Sequence, residues 1–195
     1  MKNKKICDIF YNSEKFPHTG NTTSFERKII LQKLAQKYHT GQFRKGEGNI
    51  PYIVHPQAVA ETLEKWGECP NSVAVQIAWG HDLLEDTQVS ESEIIAVSNE
   101  TVLQGIKLLT KPENIDKPAY LKSVAESGNR DALLVKISDR ICNSNDFIKL
   151  KGKSHAYKYL HEADALLPAL KKLSGDKVAL NALKAWNDLD EMLKN

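Results

Sequence analysis

The ten residues Ala78–Thr87, AWGHDLLEDT, place His81, Asp82, Glu85 and Asp86 directly behind the apolar run Val73, Val75, Ile77, Ala78 and Trp79. Ionisable groups set against so apolar a segment are costly to bury unless they are paired or hold a metal. On a helix of roughly 3.6 residues per turn, His81 lies one turn from Glu85 and Asp82 one turn from Asp86. The four then form a polar ridge flanked by Leu83 and Leu84. His81 and Asp82 point about 100° apart and can converge on one ion, but two ligands do not complete a coordination sphere.

Two other places offer further ligands. His55 stands ahead of Pro56, and Asp139 lies in LLVKISDRICN, residues 133–143, where Lys136, Asp139, Arg140 and Asn143 share a helical face. Imidazole with carboxylate suits a divalent metal such as manganese, iron or zinc better than a thiolate-preferring ion. Each residue also has an ordinary reading. His55 alone would cap a helix, Lys136 and Arg140 would pair with Asp139 or distant acids, Arg44 and Lys45 would be an exposed loop pair, and Tyr159 would pack. Glu85 and Asp86 could be a solvated helix end, but carboxylates there oppose the helix dipole and favour a local cation. His39, His155 and His161 read as structural or surface residues, and His18 has no assigned role.

The elements that must position these groups read as helices. Thr23-Ser-Phe-Glu26 fits a capping box, and Ile30, Leu31, Leu34, Ala35 and Tyr38 recur at helical spacing until Gly41. Residues 42–51, QFRKGEGNIP, read as a basic loop. His55-Pro56 opens a helix that Gly67 closes, Pro70 starts a third that carries AWGHDLLEDT, and Ser90-Glu-Ser-Glu93 is a second capping box. Further helical patterns cover about 100–110, 117–127, 130–148, 154–173 and 176–193, with Gly105 tolerated. Alternating β-branched runs are nearly absent, so the expected fold is an all-α bundle of eight or nine helices over residues 23–195, preceded by an arm of residues 1–22.

The chain has 195 residues, 41% of them hydrophobic and 27% charged, which suits one well-cored domain. A net charge of +2 with no long basic block argues against nucleic-acid binding and against a polybasic membrane anchor. No segment approaches the length of a transmembrane helix, and no signal-peptide core is visible. Three dispersed cysteines without CxxC spacing fit a reducing cytoplasm rather than a disulfide framework.

His55, the dyad His81-Asp82 followed by Glu85-Asp86, and Asp139 resemble the H…HDxxED…D pattern of the HD phosphohydrolase superfamily. More narrowly, GQFRK, PYIVHPQAVA, AWGHDLLEDT, Leu109-Thr-Lys111 and VKISDRICN resemble, in that order, the hydrolase domain of the RelA/SpoT guanosine tetraphosphate enzymes. The matching run spans over half the chain and ends about fifty residues before its last residue, so a stand-alone small alarmone hydrolase is expected. The resemblance implies that His55, His81, Asp82 and Asp139 hold one divalent metal, usually Mn2+, and that Glu85 and Asp86 are catalytic. It implies removal of pyrophosphate from the 3′ position of ppGpp or pppGpp, giving GDP or GTP. It also implies that Arg44 packs on guanine and Lys45 meets phosphate, with Lys111, Asn143, Lys136, Arg140 and Tyr159 as further substrate contacts.

Two departures bear on nucleotide selectivity: GEGNIP replaces a shorter turn, and ISDRICNSNDF replaces the more usual LADRLHNMRTL. Alternatives are hydrolysis of another phosphorylated nucleotide such as NADPH, and a catalytically silent nucleotide sensor, which intact Glu85 and Asp86 argue against. The oligomeric state stays open, a homodimer included.

Overall fold

From Ala74 to Gly80 every residue of one short helix is buried, Gln76 included. A helix that is apolar nearly all round must be surrounded by others, and this one is the hub of the fold. The computed structural model describes residues 24–46 and 48–195. The expected arm of residues 1–22 and the capping box at Thr23 lie outside them. Along the chain the helices are α1 (Ser24–Tyr38), α2 (Val54–Trp66), α3 (Val73–Gly80), α4 (Leu83–Asp86), α5 (Glu91–Val97), α6 (Glu100–Leu109), α7 (Lys117–Glu126), α8 (Arg130–Lys151), α9 (Lys153–His161), α10 (Leu167–Lys172) and α11 (Lys177–Lys194). A 3-10 turn, Asp164–Leu166, precedes α10. The hub is α3, packed against α1, α2, α6 and α8.

The all-α class is as expected, but the eleven α-helices among the described residues exceed the expected eight or nine. Two expected helices are split. The one expected from Pro70 starts only at Val73, where the Ser72 hydroxyl accepts the Val75 N–H at 3.2 Å, and it breaks after Gly80. At Asp82 the backbone turns to φ −100° and ψ −3°, a sparsely populated conformation found at many active sites, and α4 resumes at Leu83. The pattern at 154–173 becomes α9, the 3-10 turn and α10, because Pro168 near the start of α10 has no N–H and its ring obstructs a preceding carbonyl. The Ser90–Glu93 capping box forms with both reciprocal hydrogen bonds. Residues 42–46 and 48–51 lie in the expected loop, held by one antiparallel bridge between Phe43 and Pro51. No described helix is long and apolar enough to cross a membrane.

The sequence pattern merely tolerated Gly105, whereas the packing requires it. A Cβ at Gly105 would sit 2.2 Å from Ile77 Cδ1 and 2.8 Å from Ile77 Cγ1, so glycine lets α6 close on the hub. On the far side, His161 of α9 meets Asp164 at 3.0 Å and Asp190 of α11 at 2.9 Å. Burial lowers the His161 pKa, but hydrogen bonds to Asp164 and then Asp190 outweigh it, and the net shift is upward.

Gly105→Ala is expected to lose about 1–3 kcal/mol of stability from overpacking despite its better helix propensity, read by denaturant unfolding. The raised pKa of His161 means that its contribution is complete below the unfolded value of about 6.5 and fades as pH rises through the higher folded value. Wild type should therefore exceed His161→Gln by up to about 1 kcal/mol near pH 6, and the gap should close on titration toward alkaline pH.

Candidate functional site

Three helices deliver the ionisable cluster. The first turn of α2 carries His55, the end of α3 carries His81 and Asp82, and the middle of α8 carries Asp139. One ligating atom from each of His55, His81 and Asp82 lies within 4.8 Å of the others. Asp82 Oδ2 is 3.1 Å from His81 Nε2 and 3.7 Å from His55 Nε2. Asp139 joins through His55, with Oδ1 3.2 Å from His55 Nε2. His55, His81 and Asp139 are at most 5% exposed, so these contacts are made away from bulk water.

The cluster fits a cation. His81 Nδ1 donates to the Ala78 carbonyl at 2.7 Å, which fixes the ring and turns Nε2 toward Asp82. His81 Nε2 is buried and, although 3.1 Å from Asp82 Oδ2, is not well aligned for a hydrogen bond to it, the arrangement expected of a metal-ligating imidazole whose other nitrogen is tied to a carbonyl. Burial works against charge on His81, yet the neighbouring Asp82 carboxylate raises its pKa to about 9, so the pocket attracts positive charge. Burial likewise opposes the charge on Asp82, but His81 and then His55 hold that carboxyl well below its ordinary value. Asp139 is also held well below its ordinary value: burial opposes its charge, but Lys136, 3.1 Å away, outweighs it. With both imidazoles neutral, as metal ligation requires, two ionised carboxylates against one ammonium leave −2 + 1 = −1, an excess that a proton on His81 balances and that a divalent ion displacing that proton would offset.

Above the cluster, the Asp86 N–H donates to the Asp82 carbonyl at 2.9 Å, so the helical turn survives the kink and stacks Asp86 over Asp82. Glu85 and Asp86 are exposed. Glu85 Oε2 accepts the Lys111 N–H at 3.2 Å. Beside them opens a cleft of about 480 Å³, its polar wall formed by Arg44, Lys45, Tyr52, Asp86 and Asn143 and its apolar wall by Phe43, Phe147 and Leu150. That volume and mixed lining suit a nucleotide-sized ligand. Arg44 Nη2 donates to Asn143 Oδ1 at 2.7 Å and to Asp146 Oδ2 at 2.6 Å, and Asn143 Nδ2 donates to Asp139 Oδ1 at 2.5 Å. The cleft and the cluster are therefore one hydrogen-bonded unit.

Of the expected contacts, Arg44, Lys45 and Asn143 line this cleft. The Lys111 ammonium instead binds the Pro112 and Ile115 carbonyls at 3.0 and 3.1 Å. Lys136 pairs with Asp139. Arg140, about 100° around α8 from Asp139, is buried over the Tyr159 ring at 4.3 Å and reaches Glu162 at 3.7 Å. Tyr159 packs on Phe147 at 4.8 Å, and its phenol is pushed up to about 12, chiefly by burial.

The sequence reading missed Tyr52, Gln42, His39 and Asp146. Tyr52 donates to Asp82 Oδ2 at 2.7 Å and meets Asp86 Oδ2 at 3.1 Å, and burial followed by Asp82 raises its pKa. A hydroxyl-bearing aromatic three residues before His55 was a visible signal, as was the spacing of Asp146, three residues beyond Asn143. Gln42 and His39 gave no such signal.

An all-α bundle with a His/Asp cluster at the end of its central helix defines an HD-type hydrolase. No family model matches the chain. The chain is 30% identical over 123 residues to guanosine-3′,5′-bis(diphosphate) 3′-pyrophosphohydrolase MESH1 of Danio rerio, covering 60% of this chain and 68% of that protein. It is 29% identical over 194 residues to the guanosine-3′,5′-bis(diphosphate) 3′-pyrophosphohydrolase of Borreliella burgdorferi, covering 97% of this chain but 27% of that longer protein. A solved structure described by the words "A metazoan ortholog of SpoT hydrolyzes ppGpp and plays a role in starvation responses" shares the fold, with a TM-score of 0.65, 17% identity and coverage of 88% of this chain and 98% of that one. The chain belongs to the guanosine-3′,5′-bis(diphosphate) 3′-pyrophosphohydrolase family.

A divalent metal at about a hundred times its Kd should stabilise the native state by about 2.7 kcal/mol. For a chain of this size that raises Tm by roughly 5–10 °C, measured by scanning calorimetry. His81→Ala should abolish the shift, and a wild type indifferent to Mn2+ and Zn2+ alike would remove the metal assignment.

Proposed function

We propose that this protein hydrolyses guanosine 3′,5′-bis(diphosphate) to GDP and pyrophosphate. The observation that carries the reading is the cleft lined by Arg44, Lys45, Tyr52, Asp86 and Asn143, tied to the His55–His81–Asp82 cluster by the hydrogen bonds of Tyr52 to Asp82 and of Asn143 to Asp139. Water adds its oxygen to the phosphorus attached to O3′, the P–O3′ bond breaks, and the 3′ oxygen leaves as a hydroxyl.

His55, His81, Asp82 and Asp139 would hold one divalent metal; the nitrogen and oxygen donor set suits manganese, iron or zinc, and Mn2+ is the first choice by resemblance to the RelA/SpoT hydrolase domain. Bound there, such an ion supplies polarisation of the scissile phosphate and a lowered pKa for water. Asp86 and Glu85, exposed on the one-turn helix α4, stand ready to orient that water and accept its proton. Arg44, held between Asn143 and Asp146, presents a planar guanidinium suited to stacking on guanine, and the exposed Lys45 offers a point charge to phosphate. The nucleotide substrate and the dispersed cysteines fit a reducing cytoplasm.

Manganese-loaded protein incubated with guanosine tetraphosphate should release GDP and pyrophosphate, resolved by ion-exchange chromatography. His81→Ala should release none, and Asp86→Asn should lower kcat by about 10²–10⁴. Recovery of intact nucleotide from fully metallated wild type would overturn the substrate assignment.

A further inference from the structure

Asp86 poses a positioning problem. It ends the four-residue helix α4 and is exposed, yet a displacement of about 1 Å at a reacting group can cost on the order of 10²-fold in rate. Two residues from the segment ahead of α2 hold it from opposite ends. At the main chain, Gln42 Nε2 donates to the Asp86 carbonyl at 2.8 Å. The other end of the Gln42 amide, Oε1, accepts from His39 Nδ1 at 2.7 Å, which fixes the amide's orientation. At the carboxylate, the Tyr52 hydroxyl lies between Asp82 Oδ2 at 2.7 Å and Asp86 Oδ2 at 3.1 Å. The Asp82 oxygen it meets is the one that faces both imidazoles.

The phenol is itself held. The His39 ring tilts against the Tyr52 ring with centroids 4.9 Å apart, and His55 meets it edge-on at 5.9 Å. The buried His39 thus supports both arms, one by a hydrogen bond and one by ring packing. Without the hydroxyl, two carboxylates one turn apart would face each other with no proton between them. With it, one donor serves both and sets their separation.

We infer that His39, Gln42 and Tyr52 form a positioning clamp that fixes the water-activating Asp86 relative to the metal-holding Asp82. The inference rests on the proposed metal site and on the role of Asp86 given above. The two arms act differently. Tyr52 hydrogen-bonds both Asp82 and Asp86, whereas the Gln42 side chain bonds Asp86 and not Asp82.

The test compares Tyr52→Phe, which keeps the ring and removes only the hydroxyl, with Gln42→Met, which keeps the length and removes the amide. Both use the full chain. Mn2+ affinity is measured by titration calorimetry without nucleotide, and kcat and KM with guanosine tetraphosphate at saturating metal. Tyr52→Phe is expected to weaken Mn2+ binding by about 10–100-fold and to lower kcat by a similar factor. Gln42→Met is expected to leave Mn2+ affinity within about twofold while kcat falls about tenfold, with KM little changed in both.

A merely structural role would move Tm, affinity and kcat together in both variants, and that pattern overturns the clamp. So does Mn2+ affinity within twofold of wild type in Tyr52→Phe. If wild type binds Mn2+ but leaves the nucleotide intact, the substrate reading falls while the affinity arm still decides Tyr52. If wild type binds no Mn2+, the metal site falls and takes the clamp with it.

Discussion

Ionised carboxylates, Asp82 and Asp139, sit at the edge of an apolar core, and their compensation organises the rest of the molecule. Burying a charge is tolerable only when partners approach to a few ångströms with their own geometry secured. Those partners come from separate helices: His55 from α2, His81 from the end of α3, Lys136 from α8. Compensation therefore demands that three helices be locked against one another, and the hub α3, buried from Ala74 to Gly80, does the locking. With the imidazoles neutral, the remaining negative excess is the property that suits the cluster to a cation.

The core supports this by close approach rather than by polar ties. Gly105 allows α6 to reach Ile77, and Gly80 allows α3 to reach Ile106, where an added Cβ would sit 2.6 Å from Ile106 Cδ1. Both contacts lie on the hub, just below the kink that aims His81 and Asp82. Interiors packed at this density transmit small displacements, so the ligands' positions inherit the rigidity of the hub. Glu85, Asp86 and the loop of Arg44 and Lys45 lie outside it, where exposure gives access to solvent and ligand but forgoes that support. The contrast between a rigid cluster and an open rim suits a site that must admit a nucleotide and still hold water in register.

The cleft's electrostatics are less positive than two adjacent basic residues suggest. Arg44 is engaged by Asp146, so its guanidinium contributes a fixed plane more than a free charge. Lys136, Arg140 and Lys117 are likewise committed, to Asp139, Tyr159 with Glu162, and Glu162 respectively. Most cations around the site shape it by holding neighbouring groups, and Lys45 is the exposed one that lines the cleft.

The sequence by itself determined the helical class, the capping box at Ser90, the loop at 42–51 and the His81-Asp82 dyad with its acidic pair, because these depend on local periodicity and residue chemistry. It also carried the identity of His55 and Asp139 as candidates, through their order along the chain. The breaks at Asp82 and Pro168 were harder to read: helical periodicity runs through both, and at Asp82 the conformation is imposed by packing at the site. Only the tertiary structure decided which members of the Lys136–Asn143 stripe face the cluster, since a position at the stripe's edge can turn either way until a neighbouring helix is docked, and α9 drew Arg140 inward. Only the tertiary structure brought His39, Gln42 and Tyr52 to Asp86, a convergence across some forty residues of chain that no local spacing encodes. Local order is written in nearest-neighbour sterics and polarity, whereas the register between helices emerges from filling a common core.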